Sequence, residues 1–380
     1  MARWSSAHAS RYYHLLMKVA EHGHKIIVVQ PPSRKSPEAN DIDVVLPSHK
    51  NVEVITVPIN AWFWSLNFPL DKLFKKFYFT LKSWYLLRKI IHNKKIDLLY
   101  IYNLPQMLYL LRNSTSVVFD FADDLLGMLE NELSITSSHP IYKFAQFCLQ
   151  WILNRSDFVI CISAPLYNKI LHEKKFILPN GTNIFSLASQ NDYENISGKY
   201  IVGYVGAFEY SMAIEQIIDV AEKLPHFNFL LVGAGRDFIS IKEDVKRRNL
   251  DNVIFTGALS HQEAMKMVQK MDLCLNLFKK TNVSHAVSPL KLFEYLAFQK
   301  PIISTRLSEV ERINEDFIYF ADSVDEIVEQ IKYISTHRDE ALRKASKGFE
   351  IVKEKYTWEV LAKQFIQLAN ASCPHLSQKA

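Results

Sequence analysis

Short runs rich in Val, Ile, Leu and Phe alternate along this chain with amphipathic segments of about ten or more residues, and the alternation occurs twice. Strands buried on both faces read as continuous apolar runs, and parallel neighbours need a long crossover, usually a helix. The pattern therefore restricts the fold to α/β, with doubly wound parallel sheets covered by helices on both faces. The first series predicts a helix over 11–21, strands over 24–30 and 52–57, and a long helix near 70–92. Strands over 97–102 and 116–121, a helix over 141–154 and a strand over 158–163 complete it. Asn180-Gly181-Thr182-Asn183 reads as a turn, and the polar segment 186–199 as a linker. The second series predicts strands over 200–205, 227–232, 253–255, 273–276 and 301–304. Helices over 212–224, 238–248, 261–270 and 289–298 separate them, and helical pattern follows over 324–335 and from 339 to about 371, broken around Tyr356-Thr357-Trp358.

The domains expected are 1–185, the linker 186–199, a second domain over 200–355, and a closing segment 356–380 that returns to the first. Such a domain normally opens with a strand, yet residues 1–10 are short and polar, so the first strand is missing or the start is truncated. A chain of 380 residues exceeds what one core usually serves. With 48% apolar and 22% charged residues it is neither disordered nor fibrous. Its four cysteines are widely spaced, which suits buried free thiols in a reducing cytoplasm better than disulfides or a zinc site. No apolar run is long enough to span a bilayer, so a cytoplasmic protein is expected, either free or at the inner face of the cell membrane.

The net charge of +5 is unevenly shared: residues 1–185 hold 21 Lys+Arg against 14 Asp+Glu, and the remainder 24 against 26. Much of the excess lies in 71–95, where Leu70, Leu73, Phe74, Phe77, Leu81 and Trp84 recur at helical spacing, preceded by Trp62, Phe63, Trp64 and Phe68. Two readings stand: a solvated basic face over a core stripe, or contact of residues 62–95 with an anionic membrane or lipid-linked partner. No nucleic-acid recognition module is present, so nucleic acid is not expected as a partner.

Only 10 residues are glycine, and six of them fall within 198–257. Gly203 and Gly206 stand where the first strand of the second series meets its helix, and small residues there let backbone approach a phosphate. Gly233-Ala234-Gly235 tempts toward a dinucleotide fingerprint, but the third glycine would fall at Phe238, which excludes a dehydrogenase. The richest segment is Ser288-Pro289-Leu290-Lys291-Leu292-Phe293-Glu294. Ser288 suits an N-cap and Pro289 a first helical position. Lys291 then opposes the positive end of the helix dipole, a conflict that a bound anion would resolve. Lys291 and Glu294 share one face, so the lysine can meet a diphosphate while the carboxylate accepts ribose hydroxyls; an ordinary surface ion pair is the alternative.

With "IVGYVGAF", "FLLVGAGRD", "NVIFTGALSHQEAM", "MDLCLNLF" and "SPLKLFEYLAFQKPIIST", residues 200–305 resemble the donor domain of GT-B glycosyltransferases, family 4 and its relatives. Segments such as "VVFDFADD", "VICISAPLYNKI" and "ILPNGTNIF" are similar to the acceptor domain, and the match is nearest to bacterial enzymes of surface polysaccharide synthesis. The resemblance implies two Rossmann-like domains facing a cleft, a nucleoside-diphosphate sugar (UDP or GDP) as donor, and a glycan or lipid-linked acceptor. It places Glu294 on the ribose and Lys291 on the phosphates, with Gly206, Phe208, Gly233, Gly257, Leu259, Ser288, Pro289 and Leu290 around them. Two departures stand out. The family's first glutamate falls at Ala286, and the Arg and Lys that usually follow the Gly206 loop are absent from 207–216.

For the chemistry, Asp120-Phe121-Ala122-Asp123-Asp124 lies at the carboxyl end of a predicted strand. Asp123 or Asp120 could accept the proton of an attacking hydroxyl, or Asp123 or Asp124 could cap the following helix. Near the amino end, Arg3, Ser5, Ser6, His8 and Arg11 form a second group, with His8 a candidate base. No cofactor or metal is expected, since no D-x-D stands at a strand end of the donor domain. A sugar-nucleotide epimerase of the same plan and a catalytically silent binding scaffold remain as alternatives.

Overall fold

The computed structural model describes residues 11–31, 49–59, 71–102, 110, 115–184, 199–374 and 376. It divides into two compact units, one of residues up to Pro179 together with those from Leu361 onward, the other Asn180–Val360. The expected linker 186–199 lies outside the described residues except for Lys199.

The first unit runs α1 (Arg11–Glu21), β1 (Ile26–Gln30), β2 (Val52–Thr56), α2 (Asp71–Lys94), β3 (Leu98–Ile101), β4 (Ser116–Phe121), α3 (Leu125–Leu133), α4 (Pro140–Leu153), β5 (Phe158–Cys161), α5 (Ala164–Lys169) and β6 (Lys175–Ile177). β1 and β2 pair in parallel, and β3-β4-β5-β6 form a separate four-stranded parallel sheet. Every residue of β4 and β5 is buried, as their unbroken apolar sequences require. The 180–183 turn is a correction: Thr182 instead forms an isolated parallel bridge with Thr357, so this stretch is extended chain paired within the second unit.

The second unit contains β7 (Ile201–Val205), α6 (Ile214–Lys223), β8 (Asn228–Val232), α7 (Phe238–Arg247), β9 (Val253–Gly257), α8 (His261–Lys270), β10 (Leu273–Asn276), α9 (Leu290–Ala297), β11 (Ile302–Ser304), α10 (Ser308–Ile313), β12 (Tyr319–Phe320), α11 (Val324–Thr336) and α12 (Arg338–Lys355). α13 (Trp358–Ser372) carries the chain back to the first unit. The six strands are all parallel in the order β12-β11-β10-β7-β8-β9. The chain starts at β7, builds outward to β9, then returns to the other side of β7 at β10. That reversal is the topological switch point at which doubly wound sheets open a ligand crevice beyond the strands' carboxyl ends.

Alternate strand residues feed two cores. Val202, Tyr204, Leu231 and Leu275 pack with α6, α7 and α11, while Ile201, Leu230, Val232 and Cys274 pack with α8, α9, α10 and α12. All four cysteines are free and buried. Burial pushes the thiols of Cys161 and Cys274 up to about 12, which leaves them inert as nucleophiles. Among the described residues no helix is long and apolar enough to cross a membrane.

Candidate active site

In the second unit the switch point is ringed by the loops after β7 and β10 and by α9. Tyr295, fully buried, sets α9 against the end of β7: its hydroxyl accepts from the Val205 N–H at 2.8 Å and lies 3.3 Å from the Val205 carbonyl. The same helix presents Lys291 and Glu294, half-buried, on one face. Lys291 Nζ lies 4.4 Å from the centre of the Tyr204 ring, 4.6 Å from that of Phe278 and 3.3 Å from Met212 Sδ. The loop carrying Met212 and the segment just after β10 are tied by the Met212–Phe278 bridge, so the ammonium lies between the ends of β7 and β10. Burial pushes Lys291 down to about 7, opposed by Glu294 and by the cation-attracting ring faces.

Glu294 does not pair with Lys291. Its Oε1 accepts from His261 Nε2 at 2.7 Å, across from the first turn of α8. Nothing in the spacing of 288–294 points to His261, because the two residues come together only through the β9–α8 connection.

The predicted cap is also corrected. α9 begins at Leu290, Pro289 occupies the cap position, and no side chain caps the helix. Ser288, buried, accepts from the Asn180 N–H at 3.1 Å and its carbonyl accepts from Asn180 Nδ2 at 2.6 Å, so it anchors a neighbouring segment. An N-terminus without a side-chain cap, with a lysine in its first turn, suits an anion. Pro289 is buried, Leu290 is half-buried, and Ala286 is packed inside.

The glycines serve mainly to bring loops together. A Cβ on Gly233 would lie 1.9 Å from the Gly206 carbonyl, and one on Gly235 2.4 Å from the Phe208 carbonyl. The N–H groups of Gly206 and Gly233 are already given to the carbonyls of Val232 and Gly257. Phe208 is a correction as a donor contact. It is fully buried among Tyr204, Phe238 and Phe255, and its N–H and carbonyl bond Ala234 and Asp237. Gly257 differs: at φ +73° it needs glycine for its backbone, and open space surrounds its Cβ position. Leu259, two residues on, is half-buried against the α8–α9 core.

In the first unit the acidic run splits by role. Asp120 is wholly buried, ion-paired to Arg11 Nε at 2.8 Å and accepting from the Tyr100 hydroxyl. Arg11 also donates to the Pro179 carbonyl at 2.7 Å. A carboxylate so enclosed cannot meet an acceptor hydroxyl, and its pairing makes it structural, which corrects Asp120 as a base. Asp124 is the N-cap of α3, accepting from the Gly127 N–H at 3.2 Å and pairing with Lys169. Asp123 alone of the three is exposed. Nearby Tyr102 is held protonated, pushed up by burial first and then by the charges of Asp123 and Asp120. His8, Arg3, Ser5 and Ser6 lie outside the described residues.

The profile of a family described as "Glycosyl transferase-like" matches residues 212–367. A Bacillus subtilis protein assigned as a teichuronic acid biosynthesis glycosyltransferase, TuaH, is 25% identical over 270 residues, which are 66% of each chain. This chain thus spans just under two thirds of that relative's length. Among solved structures, a sucrose-phosphate synthase of Thermosynechococcus elongatus superposes with a TM-score of 0.73 at 17% identity, over 94% of this chain and 92% of that one. HepE of Anabaena, in complex with UDP-glucose, gives 0.64 at 16% identity over 92% and 100% of the two chains.

Proposed function

We propose that the chain is a GT-B glycosyltransferase of group 1 and that it moves a sugar from a UDP- or GDP-sugar to a glycan or lipid-linked acceptor in the assembly of a surface polysaccharide. The observation that carries this reading is α9: Lys291 and Glu294 stand together at the switch point on a helix whose first turn has no side-chain cap. Lys291 leaves the rings of Tyr204 and Phe278 for the diphosphate and offsets the charge that grows as the bond to the anomeric carbon breaks. Glu294 accepts hydrogen bonds from the ribose. This scheme assigns the leaving-group charge to the lysine and the helix start, and no metal cofactor enters it. On the acceptor side Asp123 takes the proton of the attacking hydroxyl, with His8 the second candidate. The HepE complex with UDP-glucose and the assignment of TuaH to teichuronic acid support the donor and acceptor classes.

The reading includes contact of the first unit with an anionic membrane, through α2. Phe74, Phe77, Leu81 and Tyr85 form an exposed stripe on that helix, and Lys82, Arg88 and Lys89 are exposed on it too.

Calorimetric titration with UDP and GDP tests the donor site. Lys291→Ala and Glu294→Ala should each weaken the preferred nucleotide by about tenfold or more, as loss of charged hydrogen bonds implies. Radiolabelled nucleotide sugars incubated with the protein and membrane extract test the reaction. Label entering glycan supports transfer, whereas an isomerised donor, or binding without turnover, would replace the assignment.

A further inference from the structure

Resting on the reading of Glu294 as the ribose ligand, we infer that His261 is a positioning residue for the donor: it holds the Glu294 carboxylate in the attitude that receives the ribose hydroxyls. A carboxylate accepts and does not donate, so the 2.7 Å contact requires a hydrogen on His261 Nε2, donated to Glu294 Oε1. Both side chains are largely enclosed, His261 at 18% and Glu294 at 14% exposure, so the pair is shielded from competing water.

The histidine is itself held. It is the first residue of α8, whose start is locked by a capping box: Ser260 N–H donates to Glu263 Oε2 at 2.9 Å, and Glu263 N–H donates back to Ser260 Oγ at 3.3 Å. The carboxylate has a strong local rival, because Lys291 sits one helical turn away on the same face and already feels the charge of Glu294. Engagement by His261 draws one carboxylate oxygen away from that rival. It leaves the lysine for the diphosphate and the remaining lone pairs of Glu294 for the sugar. His261 touches neither reacting atom in this scheme and acts only through Glu294.

The experiment compares UDP, or GDP if it binds more tightly, with the matching 2′,3′-dideoxynucleotide by calorimetry on the full-length protein. Wild type should prefer the ribonucleotide, and Glu294→Ala should abolish the preference. His261→Phe should lose about fivefold to tenfold in ribonucleotide affinity while its dideoxynucleotide affinity stays within about twofold of wild type. His261→Gln, which keeps an N–H donor, should recover most of the preference. Equal losses for both nucleotides in His261→Phe, or an undiminished preference, would overturn the role of His261 while leaving Glu294 as the ligand. If Glu294→Ala retains the full preference, the ribose assignment falls and the role of His261 with it.

Discussion

Lys291 shows what a single residue's surroundings can change. In sequence it is a lysine misplaced near a helix start; in the fold it rests on two aromatic faces and a thioether, with burial lowering it from 10.5 to about 7. The charge at this position is therefore open to change by a bound anion near neutral pH. A diphosphate favours the charged form, so binding must raise the value and take up a proton. Affinity for UDP should accordingly fall as pH rises above about 7, by at most about tenfold per unit, until the value in the complex is passed. Titrations between pH 7 and 9, with the nucleotide's own ionisation taken out by the same series on Lys291→Ala, should show this slope in wild type. A slope that persists in Lys291→Ala would assign it elsewhere. The lysine and its helix were legible from 288–294 alone, but the ring cage was not, because Tyr204 comes from β7 and Met212 and Phe278 from two separate loops.

At the scale of the element, α2 separates what periodicity reveals from what it leaves open. The three- and four-residue recurrence of Phe74, Phe77 and Leu81 predicts a helix, and the helix is there. Which side of that helix faces the core is a different question. Phe74 is 52% exposed, Leu81 62% and Tyr85 76%, whereas Phe79, Thr80, Ser83 and Ile90 are buried. Phe74, Phe77 and Leu81 are thus turned away from the core, while Trp84 of the same recurrence is half-buried. An exposed apolar line among cations suits an anionic interface, where each lysine or arginine contributes about 1 kcal/mol. Replacing Lys82, Arg88 and Lys89 together by Gln should cut co-sedimentation with phosphatidylglycerol vesicles by about a hundredfold at low salt. Leu81→Glu should weaken it further, and unchanged binding in both would discard the membrane contact.

Across the whole molecule, the first unit is discontinuous in sequence, since the residues from Leu361 onward belong to it. Phe365 carries much of that return. It is buried, with its ring centre 6.1 Å from that of Tyr100 on β3 and 6.3 Å from that of Phe158 on β5. Phe365→Ala should cost the first unit about 3–5 kcal/mol. Hydrogen exchange should show β3 and β5 opening more readily, while UDP affinity, which the proposed function assigns to the second unit, stays within about twofold. Loss of protection in β7–β10 instead would mean that the two units do not respond separately.

The amino-acid sequence by itself determined the α/β class, the two series of strands and helices, and the placing of Lys291 and Glu294 on one helical turn. These are local quantities, carried by residues a few positions apart. Tertiary structure alone decided who meets whom. Asp120 is spent on Arg11, 109 residues away; Glu294 is held by His261 across 33, and Lys291 touches Met212 across 79. Such pairs depend on strand order and on which loops the sheet brings to one edge, and no short-range pattern encodes that. The same reason moved the glycines: Gly233 and Gly235 are small because another loop lies against them, and among the candidate donor-site glycines Gly206, Gly233 and Gly257 only Gly257 keeps the open space that a ligand would need.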